Sequence, residues 1–403
     1  MIRVFGLFLI PAISITLLTG CWSTTELNEL ALVSAIGIDK NEEGEYVGSF
    51  QIINPGSVAG SKSTGQGTAS PPVTVYTSTA KNLVGLSRNI SAKASRRLYF
   101  AHTSVVVIAE ELAREEGIKN LLDALDRDPE FRTTTAIIIA KNARARDLIK
   151  ILTPIDQIPA ENVIKMLKTN ETMSGENINT KTRQVIDALS TKERDPVITG
   201  VELTREAEGG KLESIQQTEP ESIIQVGGIA LFRNDRLVDW AREKTARGIV
   251  FLLNKVKETD ISIDWKGNEE AVVYNMIRQH TTVKPVIKNG KPEIDVHVKA
   301  EGIIGEVQVA IDLSNPDTLK RIEQEVNKEI QGELSKAIEK AKENKTDIFG
   351  FGESFHSTYP EHWKRFEKEW NDTYFSELKA NIKVESFIRR TGLRNKPYLK
   401  DTN

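Results

Sequence analysis

Cysteine is all but absent from this chain. Cys21 is the single thiol in 403 residues. That excludes an intramolecular disulfide and any zinc site built on several cysteines. Histidine is scarce: His102, His280, His297, His356 and His362 are the full set. None forms His-Glu-x-x-His, and none stands near Cys21 as a thiol partner. An excess of positive charge is also missing, since 54 basic side chains face 57 acidic ones for a net charge of -3. Phosphate backbones are bound through a basic field, so nucleic acid is excluded as the expected partner. Long apolar runs are lacking beyond the first eighteen residues. The best later stretch, Ala246 to Leu253, is far too short to span a bilayer. No glycine loop cradles a phosphate: "VGGIA" from Val226 lacks the lysine and the second glycine. With no nucleophile, base or ligand set to name, the chain reads as a non-enzyme with no catalytic residues, no cofactor and no metal.

What is present begins at the N-terminus. Arg3 is the only charge before an apolar run, Val4 to Leu18, that Pro11 interrupts. Fifteen helical residues reach roughly 22 Å, short of the ~30 Å hydrocarbon core. A positive start, a short apolar centre and a small-residue end describe a cleaved signal peptide over residues 1–20, with a transmembrane anchor as the alternative. Leu18-Thr19-Gly20-Cys21 resembles the bacterial lipobox, so Cys21 is the expected lipidation site and new N-terminus. Two acyl chains anchor stably where one does not. The body is then expected on the outer side of a membrane, held to the lipid bilayer through Cys21. The other reading of this cysteine is an incidental buried thiol.

Over the whole chain, 39% hydrophobic and 28% charged residues predict a packed body, and the length suggests two or three domains. Leu30–Ile38 reads as a strand stopped at Asp39, and Tyr46–Ile53 as its hairpin partner. Asn54–Pro72 is rich in glycine, serine and threonine and reads as a surface loop. Strands and helices then alternate: "VTVYTS", a helix carrying Leu83, Leu86 and Ile90, "SVVVIA", one helix from Glu110 to about Asp128, and "TTTAIIIAKN". The pattern predicts an α+β fold of three consecutive mixed domains: an N-terminal domain at 21–204, a linker or exposed excursion at 205–222, a small middle domain at 223–267 and a C-terminal domain at 268–403. In the last, Asn289-Gly290 marks a hairpin. Asn315–Lys345 forms one amphipathic helix of ~45 Å, lying on a sheet or pairing as a coiled coil.

Three segments stand out. His102 precedes a buried strand and reads as a hydrogen-bonding histidine at a strand mouth. "LDRDPEFR", Leu125 to Arg132, reads as a helix end and turn or a salt-bridged surface. Trp363, Phe366, Trp370 and Tyr374 recur at three, four and four. This places one aromatic face on a short helix, either core beneath the long helix or a docking face for another protein. His297 falls on the polar face of an alternating strand and reads as hydrated.

Taken in order, "GCWSTTELNELALVSAIGID", "YFAHTSVVVIAEELAREEG", "LDRDPEFR", "GIALFRNDRLV" and "GFGESFHSTYPEHWKRFEKEW" resemble the Ger(x)C family, the C-subunit lipoproteins of bacterial spore germinant receptors. The resemblance runs along essentially the whole chain. It implies three α+β domains lipid-anchored at Cys21 on the outer face of the spore inner membrane. It also implies assembly with integral-membrane A and B subunits, a response to small nutrients, and no catalytic residues to transfer. The competing expectation is a solute-binding lipoprotein of a membrane importer, which needs two lobes closing over a ligand cleft. Tight nutrient binding by the isolated chain in a calorimetric titration would favour that rival.

Overall fold

The computed structural model describes residues 26–59, 70–205 and 222–391, with 210, 211, 213 and 217–219 between the last two. The signal segment, Cys21 and part of the 205–222 excursion lie outside the described residues. Two sheets with packed helices make up the rest, and the α+β class expected from the sequence holds.

The first sheet contains β1 (Leu30–Lys40), β2 (Tyr46–Ile53), β3 (Val73–Ala80), β4 (Arg97–Tyr99), β5 (Val105–Ala109), β6 (Ala136–Ala140), β7 (Val197–Leu203), β8 (Ile224–Arg233) and β9 (Arg236–Ala241). Its order is β3-β2-β1-β5-β6-β7-β8-β9, with β4 alongside β1. The centre is parallel and the flanks are antiparallel. β5 and β6 read Val-Val-Val-Ile-Ala and Ala-Ile-Ile-Ile-Ala and are buried along their whole length. Continuous apolar strands of this kind suit a parallel sheet covered on both faces.

Two local expectations change. Asp39 does not stop its strand but lies inside β1. Its buried carboxylate accepts the N–H groups of Ala145 at 2.7 Å and Arg146 at 2.9 Å, opening the helix Ala145–Lys150. The single helix expected after Glu110 is two, Glu110–Glu115 and Lys119–Asp126. Gly117 separates them with φ +88°, and a Cβ there would meet Asp235 Oδ2 at 2.4 Å. Only glycine combines that left-handed backbone with so close an approach.

The second sheet is β10 (Thr259–Trp265), β11 (Asn268–Lys288), β12 (Lys291–Val307) and β13 (Lys379–Arg390), in that order. β11 and β12 form one long hairpin around Asn289 and Gly290, both with positive φ. The 28-residue helix Pro316–Glu343 lies on this sheet and buries Ile322, Val326, Ile330, Leu334, Ile338 and Ala341. Its apolar stripe is therefore occupied within the chain, not by a coiled-coil partner. The helix Glu243–Leu252 crosses it at Gly248, where a Cβ would fall 2.3 Å from the Glu333 carbonyl oxygen.

Residues 223–267 are shared between the two sheets. β8 and β9 complete the first, while the helix Glu243–Leu252 and β10 pack into the core of the second. β8 shows how. Successive side chains of a strand point to opposite faces. Ile229 and Leu231 enter the core beneath the second sheet, and Ala230 and Phe232 enter the core of the first. One strand thus contributes to both hydrophobic cores.

Candidate functional site

The turn after β8 is where the family-like segments meet. Asn234 takes positive φ there. On one side, the carbonyl of Asp235 accepts the Ile118 N–H at 2.9 Å, just past the "EEG" of the second segment. On the other, the Asn234 N–H donates to Asp195 Oδ1 at 2.7 Å. Asp195 Oδ2 accepts the Thr346 hydroxyl at 3.0 Å, the Asp347 N–H at 3.1 Å and the Asn371 amide at 2.9 Å.

Asp347 is the second carboxylate of this joint and is fully buried, with 0% exposure. Its Oδ1 accepts the N–H groups of Phe349 at 3.2 Å and Phe351 at 3.1 Å. Its Oδ2 accepts the Gly352 N–H at 2.7 Å and the Trp370 indole N–H at 2.8 Å. Burial pushes the Asp347 carboxyl up to about 6, with the charge of Asp195 adding to the rise and the donors opposing it. Burial likewise raises Asp195. Around the pair lie surface ion pairs: Arg194–Glu353, His356–Glu193, Arg233–Asp372 and Lys345–Asp372. Such exposed pairs are screened by water and contribute little. The buried carboxylates carry the joint.

Chemically, this site holds structure together. The carboxylate oxygens face N–H and O–H donors of the chain itself, and neither residue is open to solvent. A general base needs a lone pair within reach of a substrate proton. Among the described residues, no group of three or more His, Cys, Asp or Glu side chains is placed to hold a metal ion.

The aromatic residues singled out in the sequence belong to this joint. Trp363, Phe366 and Trp370 are 3%, 3% and 2% exposed, and Tyr374 is half-buried. The spacing arises from a helix at Pro360–Phe366, a 3-10 turn and a π-helical turn at Trp370–Tyr374, not from one continuous helix. Trp363 and Trp370 meet edge to face at 5.1 Å, and Phe366 lies 4.5 Å from Tyr374. This corrects the docking-face reading: the face is core, already filled by Phe351, Phe355 and Phe375.

His102 does sit just before β5, at the end of the 3-10 turn Phe100–His102, but its side chain is exposed and its ring meets Tyr99 at 5.8 Å. His297 is not merely hydrated, because it pairs with Glu385 at 2.8 Å. "LDRDPEFR" forms the salt-bridged surface considered above, through Arg127–Asp123 and Glu130–Arg97. Cys21 lies outside the described residues. The sequence reading did not find Asp195, Asp347 or the buried pair Arg247–Glu333. The one available signal was an acid, Asp347, directly preceding the aromatic run Phe349–Phe355.

The family model "Spore germination protein N-terminal domain" matches residues 23–203, and "Spore germination B3/GerAC like, C-terminal" matches 227–392. The chain belongs to the Ger(x)C family of spore germination proteins. The second match begins inside β8, the strand shared by the two cores. Spore germination protein KC of Bacillus subtilis is 41% identical, over 98% of each chain. Spore germination protein A3 of the same organism is 25% identical over 94% of this chain and 95% of its own. Among solved structures, the GerBC protein matches with a TM-score of 0.56 at 19% identity, over 88% of this chain and 96% of its own. That likeness places this Ger(x)C chain in the same fold. Among its described residues, no helix is long and apolar enough to cross a membrane.

Proposed function

We propose that this Ger(x)C protein is a lipid-anchored, non-catalytic subunit of a nutrient germinant receptor. It is tethered through acylated Cys21 on the outer face of the spore inner membrane or cell membrane, and it assembles there with the membrane-embedded A and B subunits. The observation that carries this reading is the end-to-end match to a protein named for spore germination, covering 98% of both chains. The lone cysteine at the end of an apolar leader supports the anchor, since two acyl chains suffice for stable attachment. The saturated carboxylates of the joint support a binding and assembly role over a chemical one.

Changing Cys21→Ala tests the anchor. The variant is expected to fold normally by circular dichroism and to move from the membrane fraction to the soluble fraction after cleavage of the leader, or to stay uncleaved. A variant that remains in the membrane as a fully mature chain would contradict the reading. A variant that unfolds would show that the thiol is structural.

A further inference from the structure

We propose that the edge of the first sheet from which the N-terminal tether departs, carrying Arg96, Arg132 and Ile155, rests on an anionic lipid surface. This rests on the reading of Cys21 as the lipid anchor.

The tether is short. Five residue steps separate Cys21 from Glu26, and a fully extended chain of that length reaches at most about 18 Å. A single 3-10 turn, Leu27–Glu29, then leads into β1. The start of β1 therefore lies within that reach of the headgroups, together with β4, which begins beside it.

The pairing identifies those strands. β4 runs parallel to β1 with Arg97 opposite Leu30, so Arg96 falls at the departing edge. β5 starts at the same end of the sheet but further in: Val105 pairs with Ala35, and the Ser104 N–H donates to the Ser34 carbonyl at 2.9 Å. β6 follows, the Ala136 N–H donating to the Ser104 carbonyl at 3.0 Å, and Arg132 lies four residues before it. The helix Pro159–Met173 starts here as well, because the Ser104 hydroxyl donates to Glu161 at 2.8 Å. Ile155 sits in the loop entering that helix and is 88% exposed, more than any other large hydrophobic side chain among the described residues.

Charge at this edge is unevenly committed. Glu130 is held by Arg97 and Asp156 by Lys165, and Glu161 accepts from Ser104. Arg96 and Arg132 are exposed and have no acidic partner among the described residues. Glu26 and Glu29 oppose them on the tether side, as do Asp126 and Asp128 in the segment before Arg132. Two uncommitted guanidinium groups match phosphate oxygens, which arginine binds with paired N–H donors. An isoleucine on a loop tip next to them supplies an apolar contact with the acyl boundary.

The test uses the full lipidated chain in vesicles carrying a lipid-attached fluorescence quencher, made of phosphatidylcholine with or without phosphatidylglycerol. Acylation blocks Cys21, so Ile155→Cys supplies a unique site for a thiol-reactive fluorophore. Glu43→Cys, in the turn at the far end of β1, is the control. That turn lies about 35 Å along the strand from the tether. The expected result is strong quenching at residue 155, weak quenching at residue 43, and stronger quenching at 155 when phosphatidylglycerol is present. Adding Arg96→Glu and Arg132→Glu should reduce quenching at 155 at least about threefold in the anionic vesicles, with urea unfolding unchanged. Equal quenching at the two positions overturns the proposal. So does protection of residue 155 only in native membranes, which would assign this edge to a protein partner. An unsubstituted chain that takes up the thiol label and stays off the vesicles would overturn the anchoring reading itself.

Discussion

Replacing Asp347 with alanine is expected to remove most of the stability of this protein. The change leaves the amide N–H groups of Phe349, Phe351 and Gly352 and the indole N–H of Trp370 without their acceptor. Each buried donor left unmade costs about 1–3 kcal/mol. The sum, on the order of 5 kcal/mol or more, is comparable with a typical folding margin of about 5–15 kcal/mol. Urea unfolding of the variant should show a large fall in midpoint, and thermal unfolding a large fall in Tm. Asp347→Asn should recover part of the loss, because one amide oxygen can keep two of the donors. The pH dependence follows from the same burial. The folded-state value of about 6 lies above the usual 3.8, so the folded chain binds the proton more tightly than the unfolded one. Stability from this group is complete below the unfolded value and falls as pH rises toward 6, by roughly 3 kcal/mol, then levels off. The stability advantage of the native protein over Asp347→Asn should therefore shrink between pH 4 and 6 and stay constant above. An advantage that grew with pH would show that the donors, not burial, dominate at this carboxylate.

The second large effect is expected at the crossing of two helices. Arg247 is held by Glu333, with its Nε 2.9 Å from Oε2 and its Nη1 2.9 Å from the Asp260 carbonyl oxygen. The Glu333 side chain is 1% exposed and that of Arg247 10%. Burial raises the Glu333 carboxyl while Arg247 pulls it down. Arg247→Met removes the only buried cation facing this carboxylate among the described residues, and breaking such a pair costs about 3–5 kcal/mol. The loss should be smallest in acid, where Glu333 is protonated, and should grow as pH rises through its raised folded-state value. Replacing both residues, Arg247→Met with Glu333→Leu, should return stability to within about 1 kcal/mol of the native chain. A double variant as unstable as the single one would mean that the ion pair itself, not the orphaned charge, holds the crossing.

These effects were not legible in the sequence, for a physical reason. Asp347 finds its donors two to five residues away and at Trp370, while Asp195, which joins it to the first sheet, is 152 positions upstream. Arg247 and Glu333 are 86 positions apart. Periodicity reports which way a side chain faces, not what it meets. Where one element's own pattern was sufficient, the reading held. The apolar runs of β5 and β6, the Asn289-Gly290 hairpin and the stripe of the long helix all appear where expected. The aromatic spacing from Trp363 to Tyr374 was real, but spacing could not say whether core or partner filled it, and burial decides for core. β8 carried a signal that was passed over. Four apolar residues in succession, Ile229 to Phe232, mark a strand buried on both faces, and such a strand belongs inside an assembly of sheets. Gly117 was hidden inside a helical pattern because its need for glycine comes from Asp235, in a strand turn far along the chain.

Whether this Ger(x)C chain works as an anchored, assembling subunit is decided by purifying the tagged full-length protein from spore inner membranes in mild detergent and analysing the intact complex by mass spectrometry. The expected result is a chain beginning at Cys21 with a diacylglyceryl mass on its thiol, accompanied by two integral-membrane proteins. A chain with a free Cys21 thiol that comes away from the membrane alone would contradict it.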